Sequence, residues 1–126
     1  MAKEIVMTDR VARPRVPLSH AVKVGNLIFV SGTTPFTTDY QVAREKFPDQ
    51  VRQTMENMKA VLEEVGSSFD KVAKVIAILT RTADFQAMNE IYKTYFKDGH
   101  YPARTTIEAK LAGKDYLLEI ECVAEA

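Results

Sequence analysis

Cysteine and histidine, the side chains that most often carry metal or redox chemistry, are scarce in this chain. Cys122 is the only cysteine, and His20 and His100 are the only histidines. A single thiol excludes a disulfide within the chain and any cluster of cysteine ligands. Two histidines so far apart are not the pattern of a zinc site, and no glycine-rich phosphate loop occurs. The sequence therefore predicts a protein with no metal and no cofactor.

An excess of charge of one sign and long apolar runs are also missing. Seventeen basic residues balance seventeen acidic ones, without any block of lysine and arginine, so attraction to nucleic acid or to an anionic membrane has little support. No apolar run approaches the roughly 20 residues that cross a bilayer. The first ten residues, MAKEIVMTDR, lack the apolar centre of a secretory signal. We expect a cytoplasmic protein with no nucleic-acid partner and no membrane partner.

What is present is the composition of an ordinary folded domain. Hydrophobic residues make up 46% and charged residues 27% of the 126 positions. A chain of this length buries roughly two-thirds of its unfolded surface, which is enough for one core. No linker, repeat or low-complexity tract interrupts it, so one domain spanning residues 1–126 is predicted.

Hydrophobic periodicity predicts two helices and six strands in the order β-β-β-α-β-α-β-β, an α+β pattern. The clearest element is a helix from about Pro48 to Val65, in which apolar residues recur every three or four positions and Gly66 follows as a C-cap. A second helix is predicted from Ala83 to Phe96, with Thr82 or Asp84 as its N-cap. The predicted strands are residues 4–7, 21–24, 27–31, 72–80, 105–110 and 116–124.

Three predicted connections complete this outline. Gly25 and Asn26 join the second and third strands in a hairpin, where we expect both residues to adopt positive φ. Residues 32–40 are predicted to form a loop or a broken strand, and residues 113–115 a turn before the closing strand.

The central strand carries a hint about assembly. Residues 75–79 are apolar at five successive positions, and a strand sends successive side chains to opposite faces, so burial on both faces is predicted. Two helices can cover only one face of such a sheet. The other face needs an apolar partner, and the simplest one is the same face of another subunit. We therefore expect a homo-oligomer.

The last 25 residues contain the side chains best suited to chemistry. Glu119 and Glu121 project from one face of the closing strand between apolar neighbours, an environment that can raise a carboxyl pKa or hold a water molecule. Arg104 begins the preceding strand, and its guanidinium would suit a planar carboxylate ligand. More commonly, however, such a Glu-x-Glu pair lines a solvated face and such an arginine pairs with a surface acid. The spacing alone leaves both interpretations open.

Five ordered blocks of the chain resemble the RidA (YjgF) family of reactive intermediate deaminases. This resemblance implies a chorismate-mutase-like α+β fold, a mixed sheet with two helices on one face, and a homotrimer built around a central sheet barrel. It also implies active sites in clefts between subunits, which agrees with the assembly inferred from the central strand. The blocks are GNLIFVSG at residues 25–32, QTMENMKA at 53–60, Asp84-Phe85 with Met88, Asn89 and Tyr92, PAR at 102–104 and EIE at 119–121.

The resemblance also assigns roles to individual residues. Arg104 corresponds to the arginine that holds the substrate carboxylate, and Glu119 to the glutamate that positions or activates the hydrolytic water. The remaining predicted substrate-binding residues are Ser31 and Gly32, which line the cleft, Asn89 near it, Thr106 with a backbone contact, and Leu18. No cofactor is implied, because a protonated imine carbon is already electrophilic.

Two departures from the family pattern lie at the substrate end of the cleft. Leu18 replaces a tyrosine of a Gly-Pro-Tyr segment, and Thr33 replaces a glutamine. His20 could take over a polar role there, although a lone histidine more often serves packing. Cys122, on the apolar side of its strand, is predicted to be an inert buried thiol.

These observations favour hydrolytic deamination of a small carboxylate-bearing imine or enamine, such as 2-aminoacrylate or 2-iminobutanoate, to a 2-keto acid and ammonia. A larger enamine such as 2-aminomuconate is one alternative, and a non-catalytic ligand-binding protein of the same fold is another. Members of this family have also been described as ribonucleases or translation inhibitors. The balanced charge argues against such a role here.

Overall fold

A computed structural model describes residues 2–126, in which six strands form one mixed sheet. The order across the sheet is β1-β2-β3-β6-β4-β5, and only β4 and β5 run parallel. Two helices pack on one face, which confirms the predicted α+β arrangement. The elements are β1 Glu4–Val6, β2 Ala21–Val24, β3 Leu27–Thr33, α1 Phe47–Glu64, β4 Val72–Leu79, α2 Phe85–Tyr92, β5 Ala103–Glu108 and β6 Leu118–Glu125.

The core lies between the helices and the covered face of the sheet. Alternate residues of β6 are buried, as the period of a strand requires, and the predicted stripe of α1 packs onto them. These side chains form one apolar cluster, whose members from the two elements include Val51, Met55, Met58, Leu62, Leu118, Ile120, Cys122 and Ala124.

The second face of β4 is left uncovered by the chain's own helices, as the sequence predicted for a single chain. Val75, Ala77 and Leu79 are fully buried, but Ile76 and Ile78 are only half-buried. Both side chains point away from the helices, and they stay partly exposed because residues 2–126 supply no second layer on that side. We call this uncovered surface the open face. It also carries exposed apolar side chains from β1, β2, β3 and β5, namely Ile5, Val24, Leu27, Phe29 and Ile107.

Element boundaries shifted where loop geometry, rather than periodicity, sets them. β5 begins two residues earlier than predicted, at Ala103. β6 begins two residues later than predicted, at Leu118, and ends one residue later, at Glu125. The hairpin forms as expected, with Val24 opposite Leu27. Only Gly25 of its turn has positive φ, at 58°, so the expectation for Asn26 was wrong. A turn with glycine in its first central position needs only that one left-handed residue.

The two helices end differently. After α1, Gly66 adopts φ +74°, and the Ser67 N–H donates to the Leu62 carbonyl at 2.9 Å, which satisfies an otherwise unpaired helix carbonyl. α2 is shorter than predicted because 3₁₀ turns at Thr82–Asp84 and Lys93–Tyr95 replace its ends. Asp84 takes the predicted N-cap position of α2 but makes no side-chain capping hydrogen bond, and its carboxylate accepts from Arg81 Nε at 2.7 Å instead.

Neither membrane spans nor clustered metal ligands occur in residues 2–126. Neither helix in this range combines the length and apolarity that crossing a bilayer requires. Within the same range, no three side chains among histidine, cysteine, aspartate and glutamate come together in a way that could hold a metal ion.

Gln50 joins α1 to the segment that precedes β6. Its side chain is fully buried, its Nε2 donates to the Ala43 carbonyl at 3.0 Å, and its Oε1 accepts from the Leu117 N–H at 2.8 Å. A buried N–H without an acceptor costs the desolvation energy of that group. Gln50 therefore fixes the chain just before it reaches Glu119.

Replacing Gln50 with leucine should lower the free energy of unfolding by about 1–3 kcal/mol, because the Leu117 N–H loses its acceptor. Chemical denaturation measures this change. The matched control is Gln41→Leu, since the exposed Gln41 side chain makes only one long hydrogen bond, at 3.3 Å. Equal effects of the two substitutions would contradict the proposed role of Gln50.

Candidate functional site

A cavity of about 450 Å³ opens beside the C-terminal end of β3. Its walls come from the segment between β1 and β2, from β3 and the loop after it, from α1, and from the loop before β6 together with the start of that strand. Four predicted site residues line it: Leu18, Ser31, Gly32 and Glu119. The structure therefore brings together residues that are up to 101 positions apart in sequence.

Glu119 lies on the open face, opposite Ile78 of β4. Its carboxylate packs directly over Gly32, where an added Cβ would lie only 2.5 Å from Oε2. Glycine at position 32 therefore makes room for the carboxylate. Partial burial, and secondarily the negative charge of Glu121, raises the Glu119 pKa above its usual value. A carboxylate that holds a proton more readily is suited to acid–base chemistry.

Ser31 forms hydrogen bonds to the backbone of the segment just before β2. Its Oγ donates to the Ser19 carbonyl at 2.5 Å, and its N–H donates to the His20 carbonyl at 3.0 Å. These two bonds hold the residues after Leu18 against β3. The hydroxyl proton is thus committed to the protein, although the oxygen can still accept a bond from a ligand.

His20 also serves the structure, which confirms the more common interpretation of a lone histidine. It is buried, and its Nδ1 accepts from the Thr8 N–H at 3.1 Å. Its Nε2 lies 3.0 Å from the Ala12 carbonyl and donates to it in the tautomer that the first bond requires. With both ring nitrogens engaged, His20 fixes residues 8–12 beside the cavity.

Arg104 lies elsewhere, on the covered face of edge strand β5, opposite Val75. Its Cζ sits 4.9 Å from the ring centroid of Tyr92 and 5.8 Å from that of Phe85. None of the ion pairs within residues 2–126 involves it. A half-buried guanidinium on two rings, with no carboxylate partner among residues 2–126, is oriented to accept an anionic ligand.

Asn89 and Thr106 accompany Arg104. Asn89 shares one face of α2 with Phe85 and Tyr92, at intervals of four and three residues. The Asn89 Oδ1 and the Tyr92 Oη are buried without a hydrogen-bond partner in the described chain, and burial raises the Tyr92 pKa to about 12. Thr106 follows on the same face of β5, opposite Ala77. These residues form the second half of the predicted site.

The two halves lie on opposite faces of the sheet. Val75 and Ile78 of β4 are three residues apart and point in opposite directions. Arg104 is paired with Val75 and therefore lies on the covered face. Glu119 is paired with Ile78 and therefore lies on the open face. Within one chain, the sheet therefore lies between Arg104 and Glu119.

Cys122 matches its prediction. It is buried on the covered face, and burial together with the Glu121 charge raises the pKa of its thiol to about 12. A thiol of that pKa stays protonated near neutrality, so it is a poor nucleophile.

Arg15 and Tyr40 meet at the cavity wall and were not predicted as site residues from the sequence. The Arg15 Cζ lies 3.4 Å above the Tyr40 ring, and both residues line the cavity. Because 25 positions separate them in sequence, no local pattern indicates the contact. The one indication in the sequence was the position of Arg15, which lies in the segment where Leu18 departs from the family pattern.

Comparison with known proteins assigns the chain to a family. The family model described as Endoribonuclease L-PSP matches residues 8–126. A RutC family protein of Pyrococcus abyssi is 40% identical over 125 residues, which cover 98% of each chain. The chloroplastic Reactive Intermediate Deaminase A of Arabidopsis thaliana is 34% identical over 97% of this chain and 65% of its own length. This chain is a member of the RidA family.

A solved structure supports the same conclusion for the RidA fold. The crystal structure of Escherichia coli TdcF with bound serine superposes with a TM-score of 0.90 at 31% identity, covering 98% of each chain. The resemblance read from the five sequence blocks is thereby confirmed. The family contains a protein named as a reactive intermediate deaminase, and other relatives carry other names.

Proposed function

We propose that this RidA-family protein is a cytoplasmic, cofactor-independent hydrolase that deaminates reactive enamines and imines of 2-amino acids. The observation that carries the proposal is the Arg104 guanidinium, which forms no ion pair within the described part of the chain and lies over the Tyr92 ring. The family resemblance places a carboxylate-binding arginine at this position. The Arabidopsis relative named as a deaminase and the serine in the TdcF structure, a carboxylate-bearing ligand, support it. Substrates of the 2-aminoacrylate and 2-iminobutanoate type fit this chemistry.

The proposed reaction needs only positioning and proton transfer. Arg104 binds the substrate carboxylate through its two-pronged fork, and Glu119 accepts a proton from water as the oxygen adds to the protonated imine carbon. Glu119 then passes this proton to the amino group of the tetrahedral intermediate. The C–N bond breaks as the carbonyl forms, and the hydroxyl proton passes to the departing ammonia, which leaves as ammonium. One iminium acid and one water thus give one 2-keto acid and one ammonium ion.

Arg104 and Glu119 can serve one substrate only if they come from different subunits. We propose a homotrimer in which the open faces meet. In this trimer the covered-face edge of one protomer borders the cavity of the next. The edge contributes Asn89, Arg104 and Thr106, and the cavity contributes Leu18, Ser31, Gly32 and Glu119. The exposed apolar side chains of the open face support this assembly, since monomers rarely leave such a contiguous surface in water.

The assembly can be tested by light scattering. We expect the mass of three 14.2-kDa chains at micromolar concentration. Phe29→Glu, on the open face, should dissociate the trimer and remove activity, because the interface would bury an unpaired charge. The control Lys59→Glu introduces the same residue on the exposed side of α1 and should leave the trimer intact. A wild-type monomer would overturn the shared site.

The pH dependence of turnover tests the role of Glu119. Only its ionised form can accept a proton, so kcat/KM should fall on the acid side as Glu119 becomes protonated. Since the Glu121 charge helps to raise the Glu119 pKa, removing that charge in Glu121→Gln lowers this pKa and should move the acid limb to lower pH. Profiles measured on the same imine check this shift. An unmoved limb would assign the titration to another group.

Ammonia release distinguishes the candidate functions. Wild-type protein is supplied with 2-aminoacrylate, 2-iminobutanoate and 2-aminomuconate, and hydrolysis above the uncatalysed rate is measured. Activity on the small imines supports the main proposal. The size of the cavity and the presence of Leu18 favour 2-aminomuconate as the second candidate. Ligand binding without ammonia release from any substrate would indicate a non-catalytic member of the family instead.

A further inference from the structure

The cavity beside Glu119 is larger than a three- or four-carbon imino acid requires. Its volume of about 450 Å³ lies within the roughly 300–1,000 Å³ of sites that enclose drug-sized ligands. If Glu119 addresses the reacting carbon, most of this space remains for the rest of the substrate. The residues around that space therefore bear on which substituent the substrate carries.

A row of aromatic rings leads from Glu119 along the cavity. Tyr116 lines the cavity together with Glu119, and Phe36 packs edge-on to Tyr116 with ring centroids 5.5 Å apart. Tyr40 follows, 6.0 Å from Phe36. Such a wall suits the carbon stem of a ligand, because aromatic faces contribute apolar contact area.

The row ends at Arg15, whose guanidinium is stacked on Tyr40. Arg13, the other arginine of this cavity, pairs with Asp9 at 3.4 Å, whereas within residues 2–126 no ion pair involves Arg15. Stacking leaves the N–H groups at the edge of the guanidinium free to donate in its plane. A carboxylate is the ligand group that such a planar fork fits best.

The backbone under this pair is unusual. Tyr40 adopts φ +58°, a left-handed conformation that residues with a side chain seldom take. Its position is held by the backbone hydrogen bond from the Tyr40 N–H to the Thr37 carbonyl, at 2.9 Å. Strained conformations of this kind concentrate at binding and catalytic sites, and here the strain places the ring beneath Arg15.

We propose that Arg15, stacked on Tyr40, binds a second carboxylate of the substrate, and that the preferred substrates are imines or enamines of dicarboxylic acids. This inference rests on the proposed deaminase function, and within it the inference favours diacid substrates, the class to which 2-aminomuconate belongs, over the small monocarboxylic imines. Glu119 and Arg104 act at the reacting end, Phe36 and Tyr116 border the carbon stem, and Arg15 determines specificity at the distal end.

A pair of substrates that differ only at the distal end tests the proposal. The imines of 2-aminoadipate and norleucine both have six carbons, and an amino-acid oxidase can generate each of them in the assay. Wild-type kcat/KM should be at least about tenfold higher for the diacid, as expected for one charge-assisted hydrogen-bonded contact. Arg15→Met should remove this ratio, and Arg15→Lys should restore part of it. The control Arg13→Met should preserve it.

Binding of the stable keto-acid products gives a readout that does not depend on turnover. By calorimetry, wild-type protein should bind 2-oxoadipate about tenfold more tightly than 2-oxohexanoate, and Arg15→Met should lose this difference. Equal affinity of the wild type for the two products, or the same loss in Arg13→Met, would overturn the Arg15 subsite. If no imine is hydrolysed while the affinity difference persists, the deaminase function fails and the subsite stands.

Discussion

Replacing Arg104 with alanine should lower kcat/KM for every imine substrate by at least about a hundredfold, the usual cost of losing a charged contact at the reacting group. Arg104 has no ion-pair partner within residues 2–126, so its removal breaks no salt bridge of the described chain. The loss should therefore appear in catalysis and leave the fold and the oligomer unchanged. Steady-state kinetics and light scattering measure the two effects.

The matched control is Arg104→Lys, which keeps the charge but loses the planar fork. It should retain intermediate activity with a raised KM, because an ammonium group cannot bind a carboxylate at two points. Full activity of Arg104→Ala on all imines tested would show that another group holds the substrate carboxylate.

Mixing two inactive variants tests whether the site is shared between subunits. Glu119→Gln should be as inactive as Arg104→Ala, since an amide cannot accept the proton of the attacking water. In randomly mixed trimers of the two variants, about a quarter of the interfaces join an intact Arg104 to an intact Glu119 from the neighbouring chain. Co-refolding at equal amounts should restore about that fraction of wild-type activity. If activity stays absent, both residues are required from the same chain.

Introducing one methyl group at Gly32 should have the second-largest effect. The added Cβ of Gly32→Ala would lie 2.5 Å from Glu119 Oε2 and 2.7 Å from Cδ, so the carboxylate must move away. Gly32 does not have positive φ, and alanine is therefore tolerated by the backbone. A displacement of about 1 Å at a catalytic group can cost a hundredfold in rate. We expect kcat to fall by that order while the melting temperature changes little.

A double-mutant cycle separates this effect from general damage. If Gly32→Ala acts only through Glu119, it should have little further effect on kcat in a Glu119→Gln background. Additive losses from the two substitutions would mean that Gly32 contributes to the site independently, for example by leaving space for the substrate itself.

Several parts of the protein could be predicted from local sequence. The stripe of α1, the alternation along β6 and the inert Cys122 each depend on periodicity or on composition, which neighbouring residues determine. The chemistry of Arg104 and Glu119 became specific only through the ordered family blocks. The comparisons confirm this family, and the roles of the two residues remain predictions.

Other features were decided only by the tertiary structure. A five-residue apolar run predicts apolar side chains on both faces of β4 and one face that the helices leave bare. The structure shows which face that is: the helices cover Val75, Ala77 and Leu79, and Ile76 and Ile78 lie on the open face. The same arrangement places Arg104 and Glu119 on opposite faces, and loop paths bring Arg15 over Tyr40. The sequence by itself determined which residues alternate and which family they indicate. Which face is covered, and which distant side chains meet, depends on chain crossings and loop paths that no local periodicity encodes.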